Sequence, residues 1–412
     1  MLLLKNALLF DGVADDLMDG IHVLIEASRI VEVSAVPIQS AGADVIDLGG
    51  RVLMPGLIDA HFHAYSPTFD MHALDTMPKP LLASYAATFL RGALQRGFTT
   101  VRDPGGGDVG LSLAIQKGLI DGPRFLFGGR ALSQTGGHGD MRPPHEDAPC
   151  GCTYSGVICQ LVDGADQVRR VAREELRRGA SHIKVMLSGG VASPSDPLWM
   201  AQFTDDELRA AVAEADRRQK YVAAHCHTDD AAQRCTRLGI RSIEHATRIS
   251  HETARMIATT PNTYTVPTLA VLHQLVDHGE RTGMTAASVA KVDGLIADML
   301  SSIEACRQAG VKIGFGTDIF GEPDHHLQSR EFRHRAAVDR PIDILRSATS
   351  VNAELLQMQD EIGVVRAGAF ADLIVLDTNP LTDITCFERW ASAMPIVISS
   401  GRIVRNQIGL WS

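Results

Sequence analysis

Through most of its length the chain alternates short β-rich runs with amphipathic helical segments, and that alternation restricts the fold more than any other feature. The β-rich runs end near Leu53–His63, Thr99–Asp103, Arg124–Gly128, His182–Leu187, Tyr221–His227, Arg241–His245, Thr263–Leu269 and Lys312–Asp318. Between them, apolar residues recur at helical spacing over Leu81–Arg96, Ala165–Arg178, Asp205–Gln219, Thr228–Leu238 and Ala286–Ala309. Gly97, Gly179, Gly239 and Gly310 stand just past these segments, where helix C-caps are wanted. Eight strand–helix units predict an α/β fold, a closed (β/α)8 TIM barrel with inserted loops.

The two ends read differently. Short alternating runs broken by turn residues lie at Leu2–Phe10, Ile21–Ile25 and Arg29–Val33, and again at Asp372–Asp377, Ala393–Ser399 and Arg402–Asn406. Neither end can bury a sheet face alone, so the two are predicted to pair. The expected organisation is one composite β-sandwich from residues 1–55 and 361–412, with the barrel over 56–360 inserted between. A chain of 412 residues fits this plan, since one simple core stops growing near ~250–300 residues.

Composition excludes several classes of function. A net charge of −10 argues against a nucleic-acid partner, which needs a clustered excess of Lys and Arg. No apolar run approaches the ~20 residues that span a bilayer. The N-terminal Leu2–Phe10 run is interrupted by Lys5 and Asn6 and reads as a strand rather than a signal peptide. Seven cysteines, an odd number spread along the chain, favour a reducing cytoplasm over a disulfide framework. Cys150, Cys152 and Cys159 gather near His145, but without a second Cys-x-x-Cys they read as loop thiols rather than a zinc knuckle.

Barrel enzymes place their chemistry at the C-terminal ends of the strands. The first run ends in His61-Phe-His63, whose imidazoles share a face because alternate residues of an extended strand do. The fourth carries Lys184, the fifth ends His225-Cys-His227, the sixth ends Glu244-His245, and the eighth ends at Asp318. Singly, each has an ordinary reading: a snorkelling lysine, a hydrogen-bonded core histidine, a helix N-cap. Jointly, five of eight strands ending in His, Lys or Asp make a metal site the better explanation.

These residues carry a resemblance. Pro55-Gly-Leu-Ile-Asp-Ala-His-Phe-His63, a lysine on the fourth strand, histidines ending the fifth and sixth, Asp318, and the late Gly363–Val375 segment resemble the amidohydrolase superfamily across nearly the whole chain. Thr135-Gly-Gly-His138-Gly-Asp140 and Lys184-Val-Met-Leu-Ser-Gly-Gly190 resemble its imidazolonepropionase-related branch, with Xaa-Pro and Xaa-Arg dipeptidases and ochratoxin amidohydrolases. The resemblance implies two divalent metal ions, zinc being the commonest. His61, His63 and Asp318 would hold one and His225 and His245 the other, with Lys184 bridging them after N6-carboxylation by carbon dioxide. Burial would favour the neutral amine that captures carbon dioxide. Such ions lower the pKa of a bound water from ~15.7 toward neutrality, and Asp318 would act as general base and then general acid.

For substrate, the resemblance gives His227 as a donor to a carboxylate and His138 as a donor to the oxyanion. Ser188, Gly189 and Gly190 follow the lysine strand as possible backbone donors, and Tyr65 and Ser66 follow the first ligand pair as possible pocket residues. The inserts Ser133–Gly164 and Val191–Phe203 are too long for simple connections and read as a partial lid, Trp199 and Met200 offering an apolar wall or a subunit contact. The expected activity is hydrolysis of an amide to a C-terminal amino acid, in a dipeptide, an N-acyl amino acid or an ochratoxin-type amide. The small-molecule amide is the expected partner, and the branch implies a homo-oligomer. Hydrolysis of a cyclic amide, urea or carbamate, and a barrel without catalysis that serves as a binding protein, remain the alternatives.

Overall fold

The computed structural model describes residues 1–142, 156–193, 196–284 and 286–409. Its centre is a ring of parallel strands: β1 (Leu57–Asp59), β2 (Phe98–Asp103), β3 (Arg124–Phe127), β4 (His182–Met186), β5 (Tyr221–Cys226), β6 (Ser242–His245), β7 (Tyr264–Val266) and β8 (Lys312–Ile313). Ladders join β1 to β2 to β3, and β4 through β8 in order. Two seams close the ring. At one, the chain leaves β3 and forms a short strand, Ala131–Ser133, in which Leu132 pairs with Val185 of β4, while Ser181 N donates to Phe127 O at 2.8 Å. At the other, Ala60 N donates to Phe315 O at 2.9 Å, and Thr317 N and Asp318 N donate to His61 O at 3.2 and 2.7 Å. The barrel is therefore the predicted one. Ile58, Ala60, Tyr221, Tyr264 and Val266 form one buried cluster, so the region around β1, β5 and β7 is a packed core and not a pore.

The crossovers are helices where the apolar spacing placed them: Lys79–Gln95, Ala165–Arg177, Asp205–Asp216 and Asp229–Arg237. Thr204 and Glu207 form a reciprocal capping box, and Thr228 and Ser250 accept from the backbone at the starts of their helices. The predicted helix over Ala286–Ala309 is broken. It forms as Ala286–Ala290 and Leu295–Ala309, because Gly294 between them takes a left-handed φ of +75°.

The terminal segments pair with one another in one eight-stranded sheet. Its order is Arg402–Asn406, Ile396–Ser399, Leu373–Leu376, Val52–Pro55, Leu2–Leu9, Met18–Glu26 and Arg29–Ser34, with Asp44–Asp47 also on Leu2–Leu9. The sheet rolls until its edge meets the C-terminal segment, where Arg29 bridges to Phe370. Residues alternate between two cores. Leu373, Val375, Ile396 and Ile398 pack with Leu4, Leu9 and Val23 inside the roll, whereas Ile374, Leu376 and Val397 pack against the barrel with Phe89, Leu90 and Phe332. The single predicted strand Leu53–His63 is in fact two. Val52–Pro55 belongs to the terminal sheet, and at Gly56 the chain crosses into β1, with Gly56 N donating to Asp372 O and Leu57 N to Gly97 O. A Cβ at Gly56 would lie 2.1 Å from Thr99 Oγ1, so this crossing admits no side chain without rearrangement.

Arg169, Arg173, Arg177 and Arg217 do gather around one surface groove, but Glu174 and Glu214 pair with them. Among the described residues, no helix is long and apolar enough to cross a membrane.

The rolled sheet depends on close backbone contact at Gly401, where φ is +75° and a Cβ would stand 1.7 Å from Ala27 O. Gly368 has φ +91° with open space around it. Gly401→Ala should therefore cost about 2 kcal/mol more than Gly368→Ala, seen as a melting temperature several degrees lower. Equal melting temperatures for the two variants would show that the contact relaxes freely.

Candidate active site

The ring closure between β8 and β1 builds the first half of the site. His61 and His63 follow β1, with Phe62 between them buried against Leu90, Phe98 and Phe332. The hydrogen bond from Asp318 N to His61 O brings the aspartate alongside them. His61, His63 and Asp318 each place one ligand atom within 4.8 Å of the others. Asp318 Oδ1 lies 3.5 Å from His61 Nε2 and 3.2 Å from His63 Nε2. His225, ending β5, and His245, ending β6, have ring centroids 4.6 Å apart, and His245 is 4.9 Å from His61. These five residues and Lys184 of β4 line one cavity of about 820 Å3, its open mouth included. Imidazole, carboxylate and amine donors converging there fit divalent ions such as zinc.

Burial sets the protonation of this cluster. Desolvation lowers His61 to about 4, and burial with neighbouring histidines holds His225 and His245 well below the usual imidazole range. A neutral imidazole is the form that binds a metal. His63 is the exception: burial works against its charge, but the hydrogen bond and charge of Asp318 outweigh it and raise it. Asp318 is correspondingly lowered, His61 and His63 overcoming the upward push of burial. Burial brings Lys184 from 10.5 down to about 8.

Neighbours fix which nitrogen each ring offers. His61 Nδ1 donates to Glu244 Oε2 at 2.7 Å, and His63 Nδ1 donates to Gly105 O at 2.9 Å. His245 Nδ1 pairs with Thr268 Oγ1 at 2.9 Å. For His61 and His63 this leaves Nε2 facing Asp318 in the cavity, while His245 Nδ1 also stands 3.8 Å from Asp318 Oδ2. His225 is turned the other way, with Nε2 3.3 Å from Gly189 O. Glu244 is buried and itself held by Arg102 Nη2 at 2.6 Å and by the Ser242 hydroxyl, while Arg102 Nε donates to Ala60 O. The Arg102 guanidinium and His61 keep the Glu244 carboxyl ionised against the opposing effect of burial. Asp59 ties the two closing strands together, accepting from His61 N, Thr317 N, Thr317 Oγ1 and Gln328 Nε2.

The remaining predicted residues divide. His138 and His227 line the same cavity, His138 stacked on His225 at 4.2 Å and His227 on His245 at 5.0 Å. Gly189 and Gly190 lie behind these rings: Gly189 O faces His225, and a Cβ at Gly190 would stand 2.1 Å from the His138 ring. The Ser188 hydroxyl accepts from His227 N at 2.9 Å. Tyr65 and Ser66 are not brought to the cavity. Tyr65 lines a different hollow beside Asp108, and Ser66 is buried between His63 O and His325. Of the inserts, Met141, Ile158, Val191 and Ala192 reach the cavity wall, whereas Trp199 is 78% exposed and does not line it. Cys159 also lines the cavity, while Cys150, Cys152 and His145 lie outside the described residues. Arg102, Glu244 and Thr268 were not assigned roles from sequence, though the charged pair Arg102-Asp103 closing the strand Phe98–Asp103 was a visible signal.

Fold and site together define a barrel enzyme with a candidate metal centre at the C-terminal rim of its strands. The chain belongs to the amidohydrolase family, whose model matches residues 52–404, and it is a hydrolase of that family. Ochratoxinase of Aspergillus niger is 34% identical over 381 residues, 87% of this chain and 77% of that protein. A crystal structure of a prolidase complexed with N-methylphosphonate-L-proline has TM-score 0.95 at 42% identity, covering 98% of this chain and 100% of that one. A Xaa-Pro dipeptidase with methionine bound in its active site has TM-score 0.88 at 28% identity, covering 98% and 100%.

If Glu244 and Thr268 orient their histidines toward metal, Glu244→Gln and Thr268→Val should each weaken divalent-metal affinity roughly 10–100-fold in chelator competition. Wild-type affinity in both variants would mean that the rings are held by packing alone.

Proposed function

We propose that this chain hydrolyses an amide whose amine side is an amino acid with a free carboxylate, in a dipeptide, an N-acyl amino acid or an ochratoxin-type amide. The observation that carries this reading is the convergence of His61, His63, Asp318, His225, His245 and Lys184 on one cavity, in a chain whose relatives are named ochratoxinase, prolidase and Xaa-Pro dipeptidase. His61, His63 and Asp318 would hold one divalent ion and His225 and His245 a second. Lys184 would lie between them as a carbamate, which the lowered pKa of its amine favours at neutral pH. Bound there, such ions supply Lewis acidity toward a carbonyl oxygen and toward water.

The chain's own groups do the rest. Asp318 Oδ1 faces His61 and His63, so Oδ2 is the oxygen placed to take a proton from the attacking water and return it to the leaving nitrogen. His138 donates to the oxygen that gains charge as the carbonyl becomes tetrahedral. His227, with Nδ1 2.7 Å from Thr247 Oγ1, offers Nε2 to the substrate carboxylate. Phe69, Met71, Val271, Leu272, Leu275 and Phe320 wall the cavity and favour an apolar acyl group or side chain.

The test is a panel of N-acyl amino acids and dipeptides, their carboxyl-amidated forms, and cyclic amides. Turnover should require the free carboxylate and rise with apolar bulk; turnover confined to cyclic amides would overturn the reading. Asp318→Asn should lower kcat roughly 10^2–10^4-fold on the best substrate with the fold retained, and near-normal turnover would remove Asp318 from proton transfer.

A further inference from the structure

The insert Val191–Phe203 contains a polar network that the reaction as described does not use. Asp196 and Ser193 are both fully buried. The Ser193 hydroxyl donates to Asp196 Oδ1, and Ser193 Oγ lies 2.9 Å from His138 Nδ1. Asp196 Oδ2 accepts from Gly190 N at 3.0 Å and Gln202 Nε2 at 3.1 Å, and stands 3.4 Å from His138 Nδ1. Gln202 Oε1 in turn accepts from His138 N at 2.9 Å. The loop is stapled from outside by Lys291, whose ammonium donates to Gly190 O, Ser193 O and Asp196 O at 3.1, 2.9 and 3.1 Å. Both the backbone and the ring of His138 are thus held by one insert.

The direction of these bonds has a chemical consequence. A hydroxyl has one proton, and Ser193 gives its proton to Asp196, so toward His138 it can only accept. His138 must then carry a proton on Nδ1, which leaves Nε2 as the ring nitrogen available to a molecule in the cavity, an acceptor in the neutral ring and a donor to the oxyanion only in the imidazolium. We infer that Ser193 and Asp196 are positioning residues for His138, setting its tautomer and ring plane, and that Lys291 fixes the loop which carries them. The inference rests on the proposed amide hydrolysis for its kinetic consequence but not for its structural one.

Two measurements test it separately. In the holoenzyme, Ser193→Ala and Asp196→Asn should each lower kcat roughly 10–100-fold with KM changed less than about threefold, metal content unchanged. In a His138→Ala background the same substitutions should change kcat less than about threefold, as expected of groups that act through that ring. Equal losses with and without His138, or losses in KM alone, would overturn the inference. The second measurement needs no substrate. Long-range 1H–15N spectra, with His138 identified by its loss in His138→Ala, should show the Nδ1–H tautomer in the parent and a shifted or mixed pattern in Ser193→Ala. An unchanged His138 signal would overturn the inference even if the enzyme is active. A changed signal in a protein inert toward the amide panel would leave the positioning intact and remove the proposed activity instead.

Discussion

The site depends first on the seam at which β8 meets β1. Three hydrogen bonds, from Ala60 N to Phe315 O and from Thr317 N and Asp318 N to His61 O, join segments from opposite ends of the barrel sequence. Without them Asp318 has no reason to stand near His61 and His63. Asp59, buried below the seam, doubles the link by accepting from groups on both sides, and burial raises it to about 6. A backbone seam is a firm place for ligands because it cannot shift without breaking the ladder on either side. That is a physical reason for barrel chemistry to collect at strand ends and not on free loops.

Around that seam the protein keeps a charge where a neutral group would be easier to bury. Arg102 and Glu244 are fully buried, and a buried ion pair is weak support for stability, since desolvation consumes most of the attraction. What the pair does supply is direction. Arg102 fixes Glu244 from one side, and Glu244 fixes His61 from the other, so a guanidinium on β2 determines which ring nitrogen of His61 enters the cavity. Thr268 and Gly105 do the same for His245 and His63 with neutral partners. The stronger, costlier device serves the histidine that stands between Asp318 and His245.

Much of this was legible in the sequence where a fixed period governs the chain. Two-residue alternation put His61 with His63 and separated them from Phe62, and helical spacing located the crossovers that follow β4 and β5. Legibility fails where the backbone leaves its period. His245 follows Glu244 directly, yet Glu244 reaches His61 while His245 lines the cavity, because His245 and Ala246 take left-handed φ values of +66° and +49°. No alternation rule anticipates that turn. Gly56 hid a change of sheet inside one apolar run, and Gly294 broke what read as a single helix. Ser193 and Asp196 lie in an irregular insert, where neither period applies and only coordinates show which atoms meet.

The left-handed residues bear on why such a site keeps its shape. Asp318 at φ +56° and His245 at +66° both sit in a region that disfavours residues with a Cβ, at about 1–2 kcal/mol for a residue such as histidine and less for aspartate. Each is held there by what surrounds it: Asp318 by its amide bond to His61 O, His245 by Thr268 and the rings of His61, His225 and His227. Relaxing either residue to ordinary strand geometry would carry its side chain away from the others. The same contacts that make the strain tolerable are therefore those that bring the ligands together, so the geometry of the cluster is a property of the closed barrel and not of any single strand.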